Sequence, residues 1–476
     1  MTNPFDNTIC APATAQGGAV AIIRVSGWNA IQAVDHLFTP RPAKDGSPGK
    51  PLREVPGYSL RYGSIHENGG KLLDEVLVSV FRAPHSYTGE NAVEIACHGS
   101  RYIVSRILSL LLSDGVKMAA PGEFTQRAFL HGKMDLSQAE AVADLISAQT
   151  AAAHRIAMKQ LKGGFSSELA VMREELLHLA SLMELELDFS EEEVEFADRT
   201  DLRRLTEKVL AHIDELIESF RLGNAIKNGV PVAIIGNTNS GKSTLLNALL
   251  QEDRAIVSEI AGTTRDTVEE TCNIGGLLFR FIDTAGLRES DNPIECIGVE
   301  RAYAKLEAAT LVLAVLDLTA PLPELMASAT DISNRIGTEQ QLIFLLNKAD
   351  AVPVETATAA RRALSPLLAH PRSTLYTISA KGGIGLEDLR HGIAESWQSL
   401  DTAAETTLVS NVRHLEALQN AAAALRRVHA GLQSAIPTDL VAQDLRETLY
   451  HLGSIVGEVS NNEVLGNIFR RFCVGK

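Results

Sequence analysis

Cysteine is scarce in this sequence. Five residues in 476 are cysteine: Cys10, Cys97, Cys272, Cys296 and Cys473. They are scattered and odd in number, with no Cys-x-x-Cys pair, so neither a disulfide framework nor a zinc knuckle is expected. Cys473 stands where a prenylation box would place it, but Gly475 and Lys476 do not suit that box. Long apolar runs are also missing. None approaches the ~20 residues a membrane helix needs, so no membrane association is expected. The start, Met1-Thr2-Asn3-Pro4-Phe5-Asp6, has neither the positive n-region nor the apolar core of a signal peptide, and it is not an Arg-rich transit peptide. The cytoplasm is the expected location. Positive charge is in deficit: 44 Lys and Arg stand against 59 Asp and Glu, a net charge of −15. That balance opposes non-specific binding to nucleic acid, so any such contact must be local or shared with a partner.

What is present belongs to a folded chain of several domains. Hydrophobic residues make up 45% and charged residues 22%, a globular composition on a chain too long for one core. In residues 1–130, short apolar runs alternate with turn signals such as Gly17-Gly18 and Gly69-Gly70. Ala19 to Val25, Leu72 to Phe81 and Ala92 to Cys97 read as strands, and a helical pattern follows His98, which together make an α+β module. From Ser137 the pattern turns helical. Ser137 with Glu140 reads as a capping box. Leu169, Met172, Leu176, Leu179, Met183 and Leu187 recur at helical spacing, and another helix is expected from Asp201 to Phe220. The acidic stretch Glu191-Glu192-Glu193 with Glu195 reads as a cap or a link between helices. Gly223, Gly229 and Pro231 mark a boundary, after which strands and helices alternate to about Trp397, as in a parallel α/β sheet. The end is helical again, with Leu415, Leu418, Ala422, Leu425 and Leu432 on one face. The fold expected is multidomain: an α+β N-terminal domain (1–130), a helical domain in two parts (131–228 and 399–476), and, inserted between those parts, a Ras-like α/β P-loop domain (229–398).

The inserted block carries the clearest chemistry. Val232 to Ile235 runs into Gly236-Asn237-Thr238-Asn239-Ser240-Gly241-Lys242-Ser243, a G-x-x-x-x-G-K-S loop, and Thr244 to Leu250 reads as the helix after it. Glycines let backbone N–H groups turn inward onto phosphate oxygens, and the helix N-terminus adds positive potential. Lys242 is expected to reach the β/γ-phosphates and Ser243 to ligate Mg²⁺. Gly262-Thr263-Thr264-Arg265-Asp266 follows in a polar loop, where Thr264 is the second candidate for Mg²⁺. Leu277 to Ile282 ends in Asp283-Thr284-Ala285-Gly286: Asp283 is placed to hold the metal through water, and Gly286 to donate its N–H to the γ-phosphate. Gln341 to Leu346 ends in Asn347-Lys348-Ala349-Asp350. A carboxylate at Asp350 accepts the guanine N1–H and 2-amino protons, which adenine does not offer in that pattern, so GTP is the nucleotide expected. Leu375 to Ile378 delivers Ser379-Ala380-Lys381, whose backbone suits guanine O6. Each motif alone reads equally well as a turn or a cap; the five in order, each after a strand, point to a GTP site.

The water-orienting group is not where Ras-like enzymes keep it, because Leu287 follows Gly286. A group from the polar segment downstream must serve, and Arg288, Glu289, Asp291, Glu295 and Glu300 are the candidates. No arginine finger is evident either, and another cation can take that role. Asn239, with the carbonyls of the segment Ser258, Glu259, Ile260, Ala261 and Gly262, suits a monovalent ion near the β/γ-phosphates.

At this point the chain resembles the MnmE (TrmE) family of tRNA-modification GTPases over essentially its whole length. The matching stretches are Ala21 to Gly27, Ser86-Tyr87-Thr88-Gly89-Glu90, Cys97-His98-Gly99, Pro121-Gly122-Glu123-Phe124-Thr125, Asp135 to Ala141, the G motifs, and Phe472-Cys473-Val474-Gly475-Lys476. The resemblance implies a cytoplasmic homodimer working with an FAD- and NADH-dependent partner, MnmG (GidA), in a hetero-oligomer. That assembly installs aminomethyl or carboxymethylaminomethyl groups on the wobble uridine of certain tRNAs. A reduced folate, 5-formyl- or methylene-tetrahydrofolate, supplies the one-carbon unit and maps to Arg24, Glu94, Lys133 and Lys476. The resemblance also implies K⁺ at Asn239, Ser258, Ile260 and Thr263, a catalytic Glu295 and an auxiliary Arg288. The chain departs from the family pattern in two places. Thr238 stands where the family usually has Pro, and Ala13 to Gly18 is shorter and lacks Pro-Pro-Gly-Arg. A competing reading is an Era-like ribosome-assembly switch, but the helical C-terminus offers no KH module with its Gly-x-x-Gly loop. A bare nucleotide-controlled scaffold is a third.

Overall fold

The computed structural model describes residues 7–15, 17–42, 47–67, 69–188, 199–251, 270–282, 309–337, 340–369, 372–396, 407–434, 436–459, 462–470, 472 and 475. They fall into two compact units: Met1–Ile146, Gln160–Thr206 and Ala423–Lys476 in the first, Ser147–Lys159 and Glu207–Ala422 in the second.

The first unit opens with β1 (Ile9–Pro12), β2 (Val20–Ser26), α1 (Ala30–Leu37), β3 (Phe38–Pro40), β4 (Ser59–His66), β5 (Leu72–Phe81), β6 (Ala92–His98), α2 (Arg101–Ser113) and β7 (Lys117–Met118). The described strands form a seven-stranded sheet in the order β3-β4-β5-β6-β2-β1-β7. Its pairs are antiparallel except β1 with β7. The three strands expected from the sequence appear within a residue of their expected ends; β1, β3, β4 and β7 carried too little alternation to be read. Ile23 and Val25 of β2, Val76, Val78 and Val80 of β5, and Val93 and Ile95 of β6 are buried in one cluster with residues of α1 and α2. The alternate positions Val20, Leu60, Tyr62 and Leu77 are exposed. This is the period-2 pattern of a sheet covered on one side.

Helices follow: α3 (Glu123–Leu130), α4 (Leu136–Ser147), α5 (Ala151–Leu161), α6 (Gly164–Asp188) and α7 (Arg199–Asn228). The expected capping box at α4 is displaced by two residues. Asp135 Oδ1 accepts from Gln138 N and Gln138 Oε1 accepts from Asp135 N, both at 2.9 Å. Ser137 lies inside the first turn, buried, with its hydroxyl 3.0 Å from that of Ser166. On α6 the apolar residues Leu169, Met172, Leu176, Leu179 and Met183 are buried, as their spacing implied. The stretch Glu191-Glu192-Glu193 with Glu195 lies outside the described residues. Gly223 is not a boundary: α7 runs through it to Asn228. A Cβ there would collide with the Val409 carbonyl, so the glycine serves close packing. Gly229, at φ +81°, is where the helix ends.

The second unit holds β8 (Val230–Ile235), α8 (Lys242–Gln251), β9 (Glu270–Ile274), β10 (Leu277–Phe281), β11 (Leu311–Asp317), α9 (Leu322–Arg335), β12 (Gln341–Asn347), α10 (Val354–Leu364), β13 (Ser373–Thr377) and α11 (Leu386–Glu395). Its six described strands run β13-β12-β11-β8-β10-β9, parallel except the edge strand β9. Both faces are buried. Ile343 and Leu345 of β12 face one cluster, and Leu342, Phe344 and Leu346 face the other, which is why β12 reads as an unbroken apolar run. β8 lies between β11 and β10, so the chain leaves it towards both sides, and ligands bind beyond the carboxyl ends of strands at such a switch point.

The chain ends in α12 (Val412–Gln433), α13 (Thr438–Val456) and α14 (Asn462–Phe469). Leu418, Ala422, Leu425 and Leu432 are buried along α12 as expected. α13 packs along α6, with Arg173 paired to Glu458 and Arg446 to Glu184. Leu465, Phe469 and Phe472 join Leu136 and Ala139 in a small core. Among the described residues, no helix is long and apolar enough to cross a membrane.

Candidate functional site

The loop after β8 has the backbone its sequence demands. Gly236 (φ +150°), Asn239 (φ +63°) and Gly241 (φ +101°) all have positive φ. A Cβ at Gly236 would collide with the Val315 carbonyl, and one at Gly241 with Asn347 Nδ2, so only glycine fits either position. Asn is among the few other residues that tolerate the left-handed region. Such a turn feeding a helix start at Lys242 forms an anion-binding concavity. Lys242 Nζ bends back over the loop and donates to the carbonyls of Gly236 and Asn237, both at 2.8 Å. Burial lowers the pKa of this ammonium. Ser243 sits in the first turn of α8 and Thr244 is exposed beside it.

Asn347 ties the nucleotide motifs together. It is buried, and its Nδ2 donates to the Ser240 carbonyl (2.7 Å) while its Oδ1 accepts from Ala380 N (2.9 Å). One amide thus holds the loop after β8 to the turns after β12 and β13. Ala349 N donates to the Ile378 carbonyl at 3.1 Å, and Gly382 N to Ser379 Oγ at 2.9 Å. Asp350 is exposed. A hydrogen bond with Ser379, then one to its own backbone, lowers its pKa, and the charge of Lys381 acts in the same direction. An ionised acceptor therefore stands beside the Ser379-Ala380-Lys381 turn, the arrangement a guanine edge needs.

Lys348 takes a left-handed conformation (φ +66°), and its Nζ lies 2.6 Å from Asp317 Oδ2. Asp317 ends β11 and was not singled out from sequence. The only signal available was an acidic residue closing an apolar run, which reads as an ordinary turn.

The remaining nucleotide candidates, Ser258, Glu259, Ile260, Ala261, Gly262, Thr263, Thr264, Asp283, Thr284, Ala285, Gly286, Arg288 and Glu295, lie outside the described residues. The strand that leads to Asp283 is described: β10 runs parallel to β8, and Ile282 N donates to the Val232 carbonyl at 2.9 Å.

In the first unit, Arg24 and Glu94 are cross-strand partners on β2 and β6. Arg24 Nε lies 3.0 Å from Glu94 Oε1, and its guanidinium stands 5.4 Å from the Tyr87 ring centroid and 5.7 Å from that of Phe124. Lys133 Nζ donates to the Pro84 carbonyl at 3.1 Å. One loop, from Pro84 to Glu90, thus touches both cations. It is held by a network that sequence reading missed. The buried Arg127 bonds Glu90 at 3.0 Å and Glu123 at 2.8 Å, and Ser26 Oγ bonds Glu90 at 2.8 Å and Thr88 at 2.7 Å. Buried ions that share this many partners order the loop they join. Lys476 lies outside the described residues. Its neighbour Gly475, at φ +97°, is packed so closely on Pro12 that a Cβ would collide with the Pro12 carbonyl. Pro12 follows Ala11, which pairs with Arg24 in the β1–β2 register.

Two family models together span nearly the whole chain. A family model described as the N-terminus of the GTP-binding protein TrmE matches residues 8–133, and one described as the MnmE helical domain matches residues 136–473. The tRNA modification GTPase MnmE of Parabacteroides distasonis is 51% identical over 99% of this chain and 100% of its own. That of Bacteroides fragilis is 51% identical over 99% of each, and that of Cytophaga hutchinsonii 47% identical over 100% and 99%. With both family models matched and relatives that span its whole length, the chain is a GTP hydrolase and belongs to the MnmE (TrmE) family of tRNA modification GTPases.

Proposed function

We propose that this GTPase is activated by K⁺ and acts with an FAD-dependent MnmG (GidA) partner. Together they place aminomethyl or carboxymethylaminomethyl groups on the wobble uridine of certain tRNAs, using a reduced folate as the one-carbon source. The observation that carries the reading is the coexistence, in one chain, of two built sites. One is the phosphate loop clamped by Asn347 to the guanine turns. The other is the Arg24–Glu94 pair beneath Tyr87, with Gly475 packed on Pro12.

In the first site Lys242 contacts the β/γ-phosphates, Ser243 and Thr264 hold Mg²⁺, and Asp350 reads guanine. Asn239, Ser258, Ile260 and Thr263 hold K⁺ in the place of an arginine finger, while Glu295, aided by Arg288, orients water. Asn239 sits in this loop with positive φ, and its amide oxygen is a ligand type that suits K⁺. In the second site the Glu94 carboxylate suits the N–H donors of a pterin, and Lys133 and Lys476 suit a glutamate tail. The domains are then 1–130 for folate binding and dimerisation, 131–228 with 399–476 for the helical domain, and 229–398 for the GTPase. Tyr62, Leu77 and Ile22 lie along one row of the sheet's uncovered face, with Val20 and Leu60 exposed beside them. That apolar face supports a second copy as its cover, giving a cytoplasmic homodimer.

The test is a wobble-nucleoside profile of a strain lacking the protein, complemented with the wild-type chain, Lys242→Ala or Arg24→Ala, alongside GTP turnover in KCl and NaCl at equal ionic strength. Loss of the modified uridine with either variant, and much faster turnover in KCl, are expected. A normal nucleoside profile with Arg24→Ala removes the folate site from the reading. Equal rates in the two salts remove the ion.

A further inference from the structure

We infer that Asp317 is a positioning residue of the guanine site: its carboxylate holds the Lys348 ammonium and so sets the shelf on which the base lies. The inference rests on the proposed placement of guanine against the Asn347-to-Asp350 turn. It names a residue that turn does not contain.

β11 and β12 are parallel, and their last paired residues are Asp317 and Asn347. Leu318 N donates to the Asn347 carbonyl at 3.1 Å, which carries the pairing one residue beyond the strands. Asp317 is therefore fixed beside the residue that precedes Lys348. The two oxygens of its carboxylate have separate duties. Oδ1 accepts from Thr319 N at 2.9 Å and from Thr319 Oγ1 at 2.7 Å, which locks the side chain in an Asx turn. Oδ2 is left for Lys348 Nζ, at 2.6 Å. Burial works against the ionised acid, yet the bonds from Lys348 and Thr319 outweigh it, and the net shift is downward.

Lys348 needs such a partner. Its backbone is in the left-handed region, which a residue with a long side chain rarely adopts. A lysine stem has several rotatable bonds, and ordering it costs entropy. Both side chains are partly shielded, at 34% relative exposure for Lys348 and 19% for Asp317, so the pair is less screened than one on the open surface. With its ammonium tethered at one end and its Cα fixed at the other, the lysine stem becomes a rigid apolar strip along the base-binding turn. Without Asp317 that strip must be ordered each time nucleotide binds, and affinity falls by that cost.

Asp317→Asn separates this role from simple turn formation, because the amide oxygen can still accept from Thr319 while the charge opposite Lys348 is lost. GDP affinity and dissociation should be measured by fluorescent-nucleotide titration and chase for wild type, Asp317→Asn, Lys348→Met and the double variant. Asp317→Asn is expected to bind GDP roughly 10- to 100-fold more weakly, with the rate at saturating GTP within about twofold of wild type. Lys348→Met keeps the stem and loses the tether, and should lose affinity to a similar degree. The double variant should bind no more weakly than the worse single one, since both remove the same interaction. GDP affinity within twofold of wild type in Asp317→Asn would overturn the inference. So would additive losses in the double variant. If Asp350→Asn leaves GTP preference unchanged, the guanine placement itself fails; if it alters preference while Asp317→Asn does nothing, only the positioning role fails.

Discussion

Asp350 is a carboxylate on an exposed turn, and its ionisation is protected from outside the motif that contains it. An aspartate is already ionised at neutral pH, and the hydrogen bond with Ser379 lowers its pKa further, so the proposed acceptor for guanine stays charged into the acid range. Asp350→Asn should shift preference towards xanthosine triphosphate, because an amide can donate to the xanthine 2-oxo group. Competition binding with the two nucleotides measures this, and undiminished GTP affinity would reject the role. The cysteines show the opposite influence. Burial pushes the Cys10 thiol up to about 11, and burial, then the charge of Asp74, does the same to Cys97. At pH 8 roughly one thiol in a thousand is ionised at such a value, so both should resist iodoacetamide in the native protein and react after denaturation. Peptide mapping by mass spectrometry reads this directly; rapid native alkylation at either position would contradict it.

At the scale of single elements, two corrections carry energetic consequences. The N-cap of α4 is Asp135, paired reciprocally with Gln138. Asp135→Ala should lower unfolding stability by about 1 kcal/mol, read as a fall in urea midpoint with unchanged slope. In α7, Gly223→Ala sets two effects against each other. Alanine favours a helix by about 1 kcal/mol over glycine, but its Cβ would collide with the Val409 carbonyl. Backbone cannot yield as a flexible side chain can, so overpacking, about 1–3 kcal/mol, should win and the variant should be less stable. An increase in stability would mean that the segment around Val409 moves freely. Both features escaped sequence reading for the same reason. Ser137/Glu140 and Asp135/Gln138 satisfy one spacing rule, and a glycine between helices looks alike whether it ends one or admits a neighbour.

For the whole molecule, alkaline pH offers a test of where stability is lost. Cys10 and Cys97 lie in one core cluster of the first unit. Their folded pKa values stand above the ordinary thiol value of 9.0. The unfolded chain therefore releases these protons first as pH rises. Their contribution is fully present below pH 9 and is lost between pH 9 and about 11. Replacing both with alanine or valine should flatten the fall of thermal midpoint across that window while leaving the shift produced by saturating GDP intact. An equally steep fall in the variant would assign the alkaline loss to other groups.

The sequence alone determined whatever depends on a few adjacent residues. The loop from Gly236 to Ser243 needs glycine at Gly236 and Gly241, where φ is positive and a Cβ would collide, and the alternation along β5 and the helical spacing along α6 were legible because burial repeats with the period of the element. The order of the nucleotide motifs could be read in the same way, residue after residue. Tertiary structure decided what depends on register and close approach. It set β8 between β11 and β10, joined three loops through Asn347, placed Asp317 beside Lys348, buried Arg127 between two glutamates, and returned Gly475 to Pro12. None of these has a local signature, because each pairs residues brought together only when sheets close and apolar faces are covered, and an isolated Asp, Asn or Arg looks the same in sequence whether it meets water or a partner.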